Sequence, residues 1–126
     1  MPKREIIVRL EDIRRYIDEA QIMVTEVKGF KDYLNSRTHQ LAFERAFELI
    51  GEALYHVRKE RPDIEISDIN KIIGLRHLLA HEYYEIEQDR LWIAATINLP
   101  VLKHEIELLI DEENLKLFGT TNPNLD

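Results

Sequence analysis

The stretch GLRHLLAHEYYEIE, residues 74–87, places side chains that can do chemistry among leucines and an alanine. Arg76 carries a permanent positive charge, and His77 and His81 can transfer protons or bind metals. Two tyrosines follow directly. A helix buried in a core has little use for such groups. This stretch is therefore the first candidate for a catalytic site, a metal site or the solvated face of an ordinary helix.

The histidines share one face of a predicted helix with a carboxylate, because His77, His81 and Glu85 are spaced at i, i+4 and i+8. This spacing is compatible with a zinc site, although Leu78 stands where zinc proteases carry a glutamate. It is equally compatible with acid–base chemistry, in which His81 accepts a proton and Glu85 orients its ring. A half-exposed polar face with neither role is the third interpretation.

Arg76 falls on a line that the apolar pattern predicts to face inward. The line steps by four, three, four and three through Ile69, Ile73, Arg76, Ala80 and Tyr83. An inward guanidinium is costly unless it is paired or faces a water-filled cleft. Three carboxylates on the preceding helix are possible partners: Glu44, Glu48 and Glu52. Arg76 and His81 lie about 140° apart around a regular helix. A site that uses both is therefore expected to be composite, through a bent arginine side chain, a helix that ends or unwinds near Tyr83, or a second subunit.

Helical spacing of apolar residues runs through nearly the whole chain and defines the elements that must position this stretch. A first helix extends over 6–27, with Gly29 as its C-terminal cap. A second begins near Ser36 to Thr38 and stops before Pro62. It carries two apolar stripes side by side, which predicts a central position in the fold or a subunit interface. Ser67 is a candidate cap for the third helix, which holds the motif.

The fourth helix contains Pro100, which predicts a kink because proline lacks a backbone donor and clashes with the preceding turn. Four helices of these lengths predict an all-α fold, an antiparallel four-helix bundle that forms one domain over residues 1–118. The segment 119–126 has no periodicity and is predicted to be a disordered tail.

The composition narrows the function classes. The net charge of −7 argues against binding nucleic acid over the whole surface, so any such role needs a local basic patch or a cleft between subunits. The absence of cysteine excludes disulfides and thiolate chemistry and fits the cytoplasm. No secretion signal and no membrane-spanning run is expected.

The pattern Arg-x4-His-x-Tyr, formed here by Arg76, His81 and Tyr83, resembles the signature of the HEPN superfamily, and most closely its HepT-like branch. The resemblance extends over most of the chain. It includes ERAFELIGEAL at 44–54, RPDIEISDINKIIGLRHLLAHEY at 61–83 and LWIAATINLPVLKHEIELLI at 91–110. The residue after the motif arginine is commonly asparagine in this family and is His77 here, which leaves the role of His77 open.

The resemblance implies the toxin of a toxin–antitoxin pair, an endoribonuclease that cuts RNA without a metal or cofactor. His81 then transfers the proton, and Arg76 binds the phosphate and stabilises its transition-state charge. Tyr83 is implied to be the residue to which a cognate minimal nucleotidyltransferase, the antitoxin, attaches AMP. His77, Glu85, Glu44 and Arg45 are candidates for supporting roles.

A homodimer is expected, with copies of Arg76 and His81 from two subunits facing one cleft. Basic residues near the motif that could line this cleft are Arg45, Arg58, Lys59, Lys71 and Arg90. A different function uses the same groups for binding only: the chain is then a non-catalytic substrate- or nucleotide-binding subunit of a two-component nucleotidyltransferase. A helical metal protein is the third possibility.

Overall fold

The computed structural model describes the backbone of residues 3–81 and 87–119 and the side chains of residues 5–80 and 87–119. These residues form helices and connecting turns, which confirms the predicted all-α bundle. The elements are α1 (Lys3–Glu26), α2 (Phe30–Leu34), α3 (Arg37–Glu60), α4 (Ile69–His81), α5 (Gln88–Ile93), a π-helical turn (Ala94–Asn98) and α6 (Leu99–Phe118). No helix in the described part of the chain is long and apolar enough to cross a membrane.

Helix α3 is the centre of the bundle, and its position explains why it carries two apolar stripes. It packs against both α1 and α4 and also contacts α2 and α5. One stripe, which includes Phe43, Phe47, Ile50 and Leu54, is fully buried. The central position that the sequence predicted is therefore confirmed. Its predicted start is also confirmed, because the Ser36 hydroxyl accepts a hydrogen bond from the backbone N–H of His39.

The short helix α2 was not predicted, and it changes the assignment of Gly29. Helix α1 ends at Glu26, so Gly29 does not cap it; Gly29 precedes α2, with a φ of 150° that favours glycine. A five-residue helix is too short to show an apolar period. It is held in place by Tyr33, which is fully buried against Phe43 and Trp92.

The inward face of α4 differs by one residue from the predicted line. Its buried residues are Ile72, Leu75 and Leu79, whereas Ile69 and Ile73 are half-buried and Ala80 is exposed. One residue corresponds to about 100° around a helix. Arg76 therefore lies at the margin of the buried face and not at its centre.

The turn before α4 also differs from the prediction, because the Ser67 hydroxyl donates a hydrogen bond to Glu105 on α6. Asp68 precedes the helix with a φ of 59°, and its carbonyl accepts a hydrogen bond from the Ile72 N–H. Asn98 donates to the Asp68 carboxylate. The turn is therefore attached to the last helical segment through side chains.

The irregularity that Pro100 predicts takes the form of the π-helical turn Ala94–Asn98, which directly precedes α6. The Leu99 N–H donates to the carbonyl of Ala94, five residues earlier. A π turn widens the helix and so accommodates a proline that cannot donate to the carbonyl four residues before it. Helix α6 ends at Phe118 with Gly119 in the left-handed conformation; residues 120–126 of the predicted tail lie outside the described residues.

Candidate functional site

Arg76 forms an ion pair with Glu52 on α3, and its side chain is 27% exposed. Its guanidinium carbon also lies 5.7 Å from the centre of the Tyr55 ring, which places a cation over an aromatic face. Of the three carboxylates that were candidate partners of Arg76, Glu52 is the one that contacts it. Glu48 pairs instead with Arg45, and Glu44 with Arg37.

A close approach of α3 and α4 at Gly51 brings Glu52 to Arg76. A Cβ atom at position 51 would overlap the Arg76 side chain and would lie 3.2 Å from the Ile72 carbonyl oxygen. Only glycine leaves this space without a shift of the backbone or of Arg76. The two helices run antiparallel, since Arg58 near the end of α3 bonds Asn70 near the start of α4. Helix α4 therefore ends, at His81, beside the first half of α3.

His56, which is also on α3, joins this site through the carboxylate of Glu52. The Nε2 atom of His56 lies 3.0 Å from one oxygen of Glu52, and the other oxygen of Glu52 contacts Arg76. The Tyr55 ring packs edge-on against His56, with 5.5 Å between the ring centres. We call Glu52, Tyr55, His56 and Arg76 the Arg76 cluster.

The electrostatics of the cluster favour a charged Glu52. Partial burial alone would raise the pKa of this carboxyl, but the hydrogen bonds from His56 and Arg76 and their positive charge outweigh that effect. The pKa of Glu52 is therefore lowered below its ordinary value. A carboxylate that stays ionised can hold the guanidinium and the imidazole at the same time.

The motif residues after α4 are only partly described. His81 is the last residue of α4, and its side chain lies outside the described residues. Tyr83 and Glu85 lie wholly outside them. The roles predicted for these three residues, including the zinc site with His77, therefore stay predictions. Among the side chains that are described, no three His, Asp or Glu residues are grouped so as to hold a metal ion.

Glu44, one of the predicted supporting residues, anchors the start of α5. Its buried carboxylate accepts hydrogen bonds from Arg37, at 3.2 Å, and from Gln88, at 2.8 Å. Gln88 in turn accepts one from the Tyr33 hydroxyl. Burial, reinforced by the charge of Glu44, raises the pKa of Tyr33 far above its ordinary value, so this hydroxyl remains a donor. Glu44 is not a partner of Arg76.

The other two supporting candidates lie at the surface of the bundle. Arg45 is exposed and pairs with Glu48, 3.1 Å away, and His77 is exposed on α4. Conversely, the sequence interpretation missed His56 and Tyr55. The signal was present, because Glu52 and His56 are spaced at i, i+4 within GEALYH, but this spacing alone does not distinguish a site residue from a surface ion pair.

Comparison with known proteins identifies the family. The sequence pattern of the protein family described as Ribonuclease HepT-like matches residues 9–109. Two proteins of Methanocaldococcus jannaschii, each named as a candidate RNase, are 30% identical over 113 residues, which are 89% of this chain and 93% and 97% of theirs. A candidate ribonuclease HepT of Thermococcus cleftensis is 30% identical over 104 residues, 79% of this chain and 91% of its own. Among solved structures, none gives a significant match. The resemblance seen in the motif is thus confirmed: this chain belongs to the HepT-like ribonuclease family.

Proposed function

We propose that the protein is a metal-independent endoribonuclease, the toxin of a toxin–antitoxin pair. The observation that carries the proposal is the position of Arg76: its guanidinium is half-buried on the motif helix and oriented by Glu52 and Tyr55. A guanidinium presents five N–H donors, enough to bind a carboxylate and a phosphate together. Membership of a ribonuclease family supports RNA as the source of that phosphate.

In the proposed reaction His81 removes the proton from a ribose 2′-hydroxyl, and the oxygen attacks the adjacent phosphate. Imidazole is suited to this step because its ordinary pKa lies near cellular pH. Arg76 binds the phosphate and stabilises the negative charge that builds on it in the transition state. The products are a 2′,3′-cyclic phosphate and a 5′-hydroxyl end. The reaction uses no metal and no cofactor.

We propose that a partner nucleotidyltransferase silences the enzyme by attaching AMP to Tyr83, two residues beyond His81. The adduct carries a phosphodiester, whose negative charge and bulk would compete with RNA phosphate for Arg76. We further propose a homodimer in which two subunits share one cleft. The support for this is geometric, because a regular helix points residues 76 and 81 about 140° apart.

The test is cleavage of RNA by the purified protein in EDTA, without any partner. The wild type should leave cyclic phosphate ends, and Arg76→Ala and His81→Ala should each reduce the rate by about 10² or more. A matched control for Arg76 is Arg15→Ala, because Arg15 also pairs with a carboxylate, Asp12, and lies 5.3 Å from a tyrosine ring. This control should cut like the wild type.

Two outcomes would contradict the proposal. If the wild type is inert on every RNA and harmless on expression, the chain is better explained as a non-catalytic binding subunit of a nucleotidyltransferase. If EDTA abolishes cutting and zinc restores it, the metal interpretation of His77, His81 and Glu85 gains the support that the proposal loses.

A further inference from the structure

Cleavage by 2′-hydroxyl attack requires two proton transfers, and the motif accounts for one of them. His81 is proposed to take the proton from O2′. As the bond from phosphorus to O5′ breaks, the departing oxygen must gain a proton, because an alkoxide is a poor leaving group in water. General acid catalysis of this kind contributes about 10²–10⁴-fold. The question is which side chain near Arg76 can supply that proton.

His56 is close to the point where Arg76 would hold a phosphate. Glu52 gives one oxygen to His56 Nε2, at 3.0 Å, and the other to Arg76. Arg76 and His56 are thus bound to opposite oxygens of one carboxylate, which brings both side chains to the same part of the α3–α4 surface. The His56 side chain is 37% exposed, so substrate can reach it. The ring is further held by its edge-on contact with Tyr55.

The hydrogen bond to Glu52 also determines which ring nitrogen is available for chemistry. When Nε2–H donates to the carboxylate, Nδ1 is the nitrogen that gains and loses a proton. A general acid must be protonated, and the imidazolium form of His56 can donate to Glu52 from Nε2 and to a leaving oxygen from Nδ1. A carboxylate that orients a histidine through one nitrogen, and so leaves the other to act on substrate, is a recurring arrangement in catalysis.

A surface ion pair without a catalytic role is the alternative explanation of this contact, and another histidine of α3 forms such a pair with α1. His39 Nε2 lies 3.0 Å from Glu26, the same distance as in the His56–Glu52 pair. In the structure, however, Glu26 is not paired with an arginine of the motif, whereas Glu52 is. The His56 pair differs from its counterpart in being shared with the proposed phosphate-binding group.

We propose that His56 is the general acid of the reaction, an inference that rests on the proposed ribonuclease function. Its imidazolium gives the Nδ1 proton to O5′ while the P–O5′ bond breaks and its electron pair remains on that oxygen. At the same time the O2′–P bond forms, and His81 accepts the O2′ proton. The step ends with His56 neutral and His81 protonated, and proton exchange with water restores both.

The test compares two substrates that differ in one atom at a cleavage site mapped with the wild type. One is ordinary RNA; in the other, sulfur replaces the bridging O5′, and a thiolate leaves without being protonated. His56→Gln should cut the ordinary RNA about 10² times more slowly than the wild type, yet cut the sulfur substrate within about tenfold of it. His81→Ala should fail on both, because the O2′ proton must be removed in either case. His39→Gln is the matched control and should behave as the wild type.

The outcomes separate the two proposals. His56 is not the general acid if His56→Gln cleaves both substrates more slowly by the same factor, or cleaves both at the wild-type rate. The ribonuclease proposal stands in either case. If the wild type cuts neither substrate nor any other RNA, the ribonuclease proposal fails and this inference fails with it. His56→Asn, compared with the wild type by thermal unfolding, provides a second variant in case the first does not fold.

Discussion

At the scale of single residues, Glu52 links His56 on its own helix to Arg76 on the motif helix. Its two oxygens contact His56 and Arg76, and both contacts lower the pKa of its carboxyl. A long arginine side chain loses considerable conformational freedom when it binds a ligand. Because Glu52 and Tyr55 already restrict Arg76, part of that loss is incurred on folding, before any ligand binds.

Removal of the charge at position 52 should therefore impair activity more than stability. We expect Glu52→Gln to lower the cleavage rate by about 10², since a guanidinium displaced by about 1 Å costs a factor of this size. Its unfolding free energy should change by less than about 1 kcal/mol, as for other exposed ion pairs. The measurements are cleavage kinetics and urea unfolding.

Glu48→Gln is the matched control for this prediction. Glu48 lies one turn earlier on α3, is 44% exposed against 45% for Glu52, and pairs with Arg45 and not with Arg76. It should retain the wild-type rate. Equal losses in the two variants would show that the effect comes from the general charge of this face and not from the contact with Arg76.

The sequence alone could place Arg76 beside α3 but could not choose its partner. Glu44, Glu48 and Glu52 are four residues apart and lie along one face of a helix, so each satisfies the same pattern. The choice depends on how far α4 is displaced along α3. That displacement is set by the contact at Gly51, which no residue spacing within one helix encodes.

At the scale of elements, the close contact between α3 and α4 gives a sharp test. Gly51→Ala should destabilise the fold by about 1–3 kcal/mol, because its Cβ would overlap Arg76 and crowd the Ile72 carbonyl. Gly74→Ala, also within a helix but with no atom within 4 Å of its Cβ, should stabilise it by about 0.5–1 kcal/mol. Urea unfolding of both variants measures the difference. Stabilisation by both would mean that α3 and α4 are not in close contact at position 51.

The connection from α3 to α4 is tied to α6 by a buried ion pair, which provides a further prediction. Arg61 bonds Glu113, whose side chain is only 2% exposed. Arg61→Met should cost about 3 kcal/mol, because it leaves a buried carboxylate without its main partner. Arg58→Met, in the last turn of α3, removes a bond to an exposed asparagine and should cost less than about 1 kcal/mol. Thermal unfolding distinguishes the two variants, and equal losses would contradict the assigned role of the pair.

The apolar periods predicted α1 and α3 well but misplaced the inner face of α4. Isoleucines and leucines occupy more than half of the circumference of α4, so more than one line of them satisfies a helical step. The buried line, through Ile72, Leu75 and Leu79, is determined by where the neighbouring helices lie. Sequence periodicity identifies a helix more reliably than it identifies the direction in which that helix faces.

At the scale of the whole molecule, charge and symmetry bear on how RNA could bind. A chain of net charge −7 repels RNA at long range, so binding must depend on local groups such as the Arg76 cluster. Two subunits facing one another would concentrate such groups in one cleft. This arrangement also supplies the second direction of approach that one regular helix cannot provide.

The proposed dimer predicts that two inactive variants regain cleavage activity when they form mixed dimers. When Arg76→Ala and His81→Ala subunits are unfolded together and refolded in equal amounts, half of the dimers are mixed, and each has one intact combination of arginine and histidine. We expect about a quarter of the wild-type cleavage rate, against almost none for either variant refolded alone. Failure to recover any activity, with mixed dimers present by mass spectrometry, would rule out a shared cleft.

The wide turn before Pro100 has a consequence for how this gene can vary in length. Because Ala94–Asn98 follows a looser winding than the helices on either side, it holds one more residue than a regular helix would need over the same rise. A single-codon deletion there would convert the turn to regular α-helical winding and leave α6 in its present register, and its cost would be the clash of Pro100 with the preceding turn. We therefore expect a one-residue deletion in this segment to be tolerated more readily than one within α6, where it would rotate the residues that follow by about 100°.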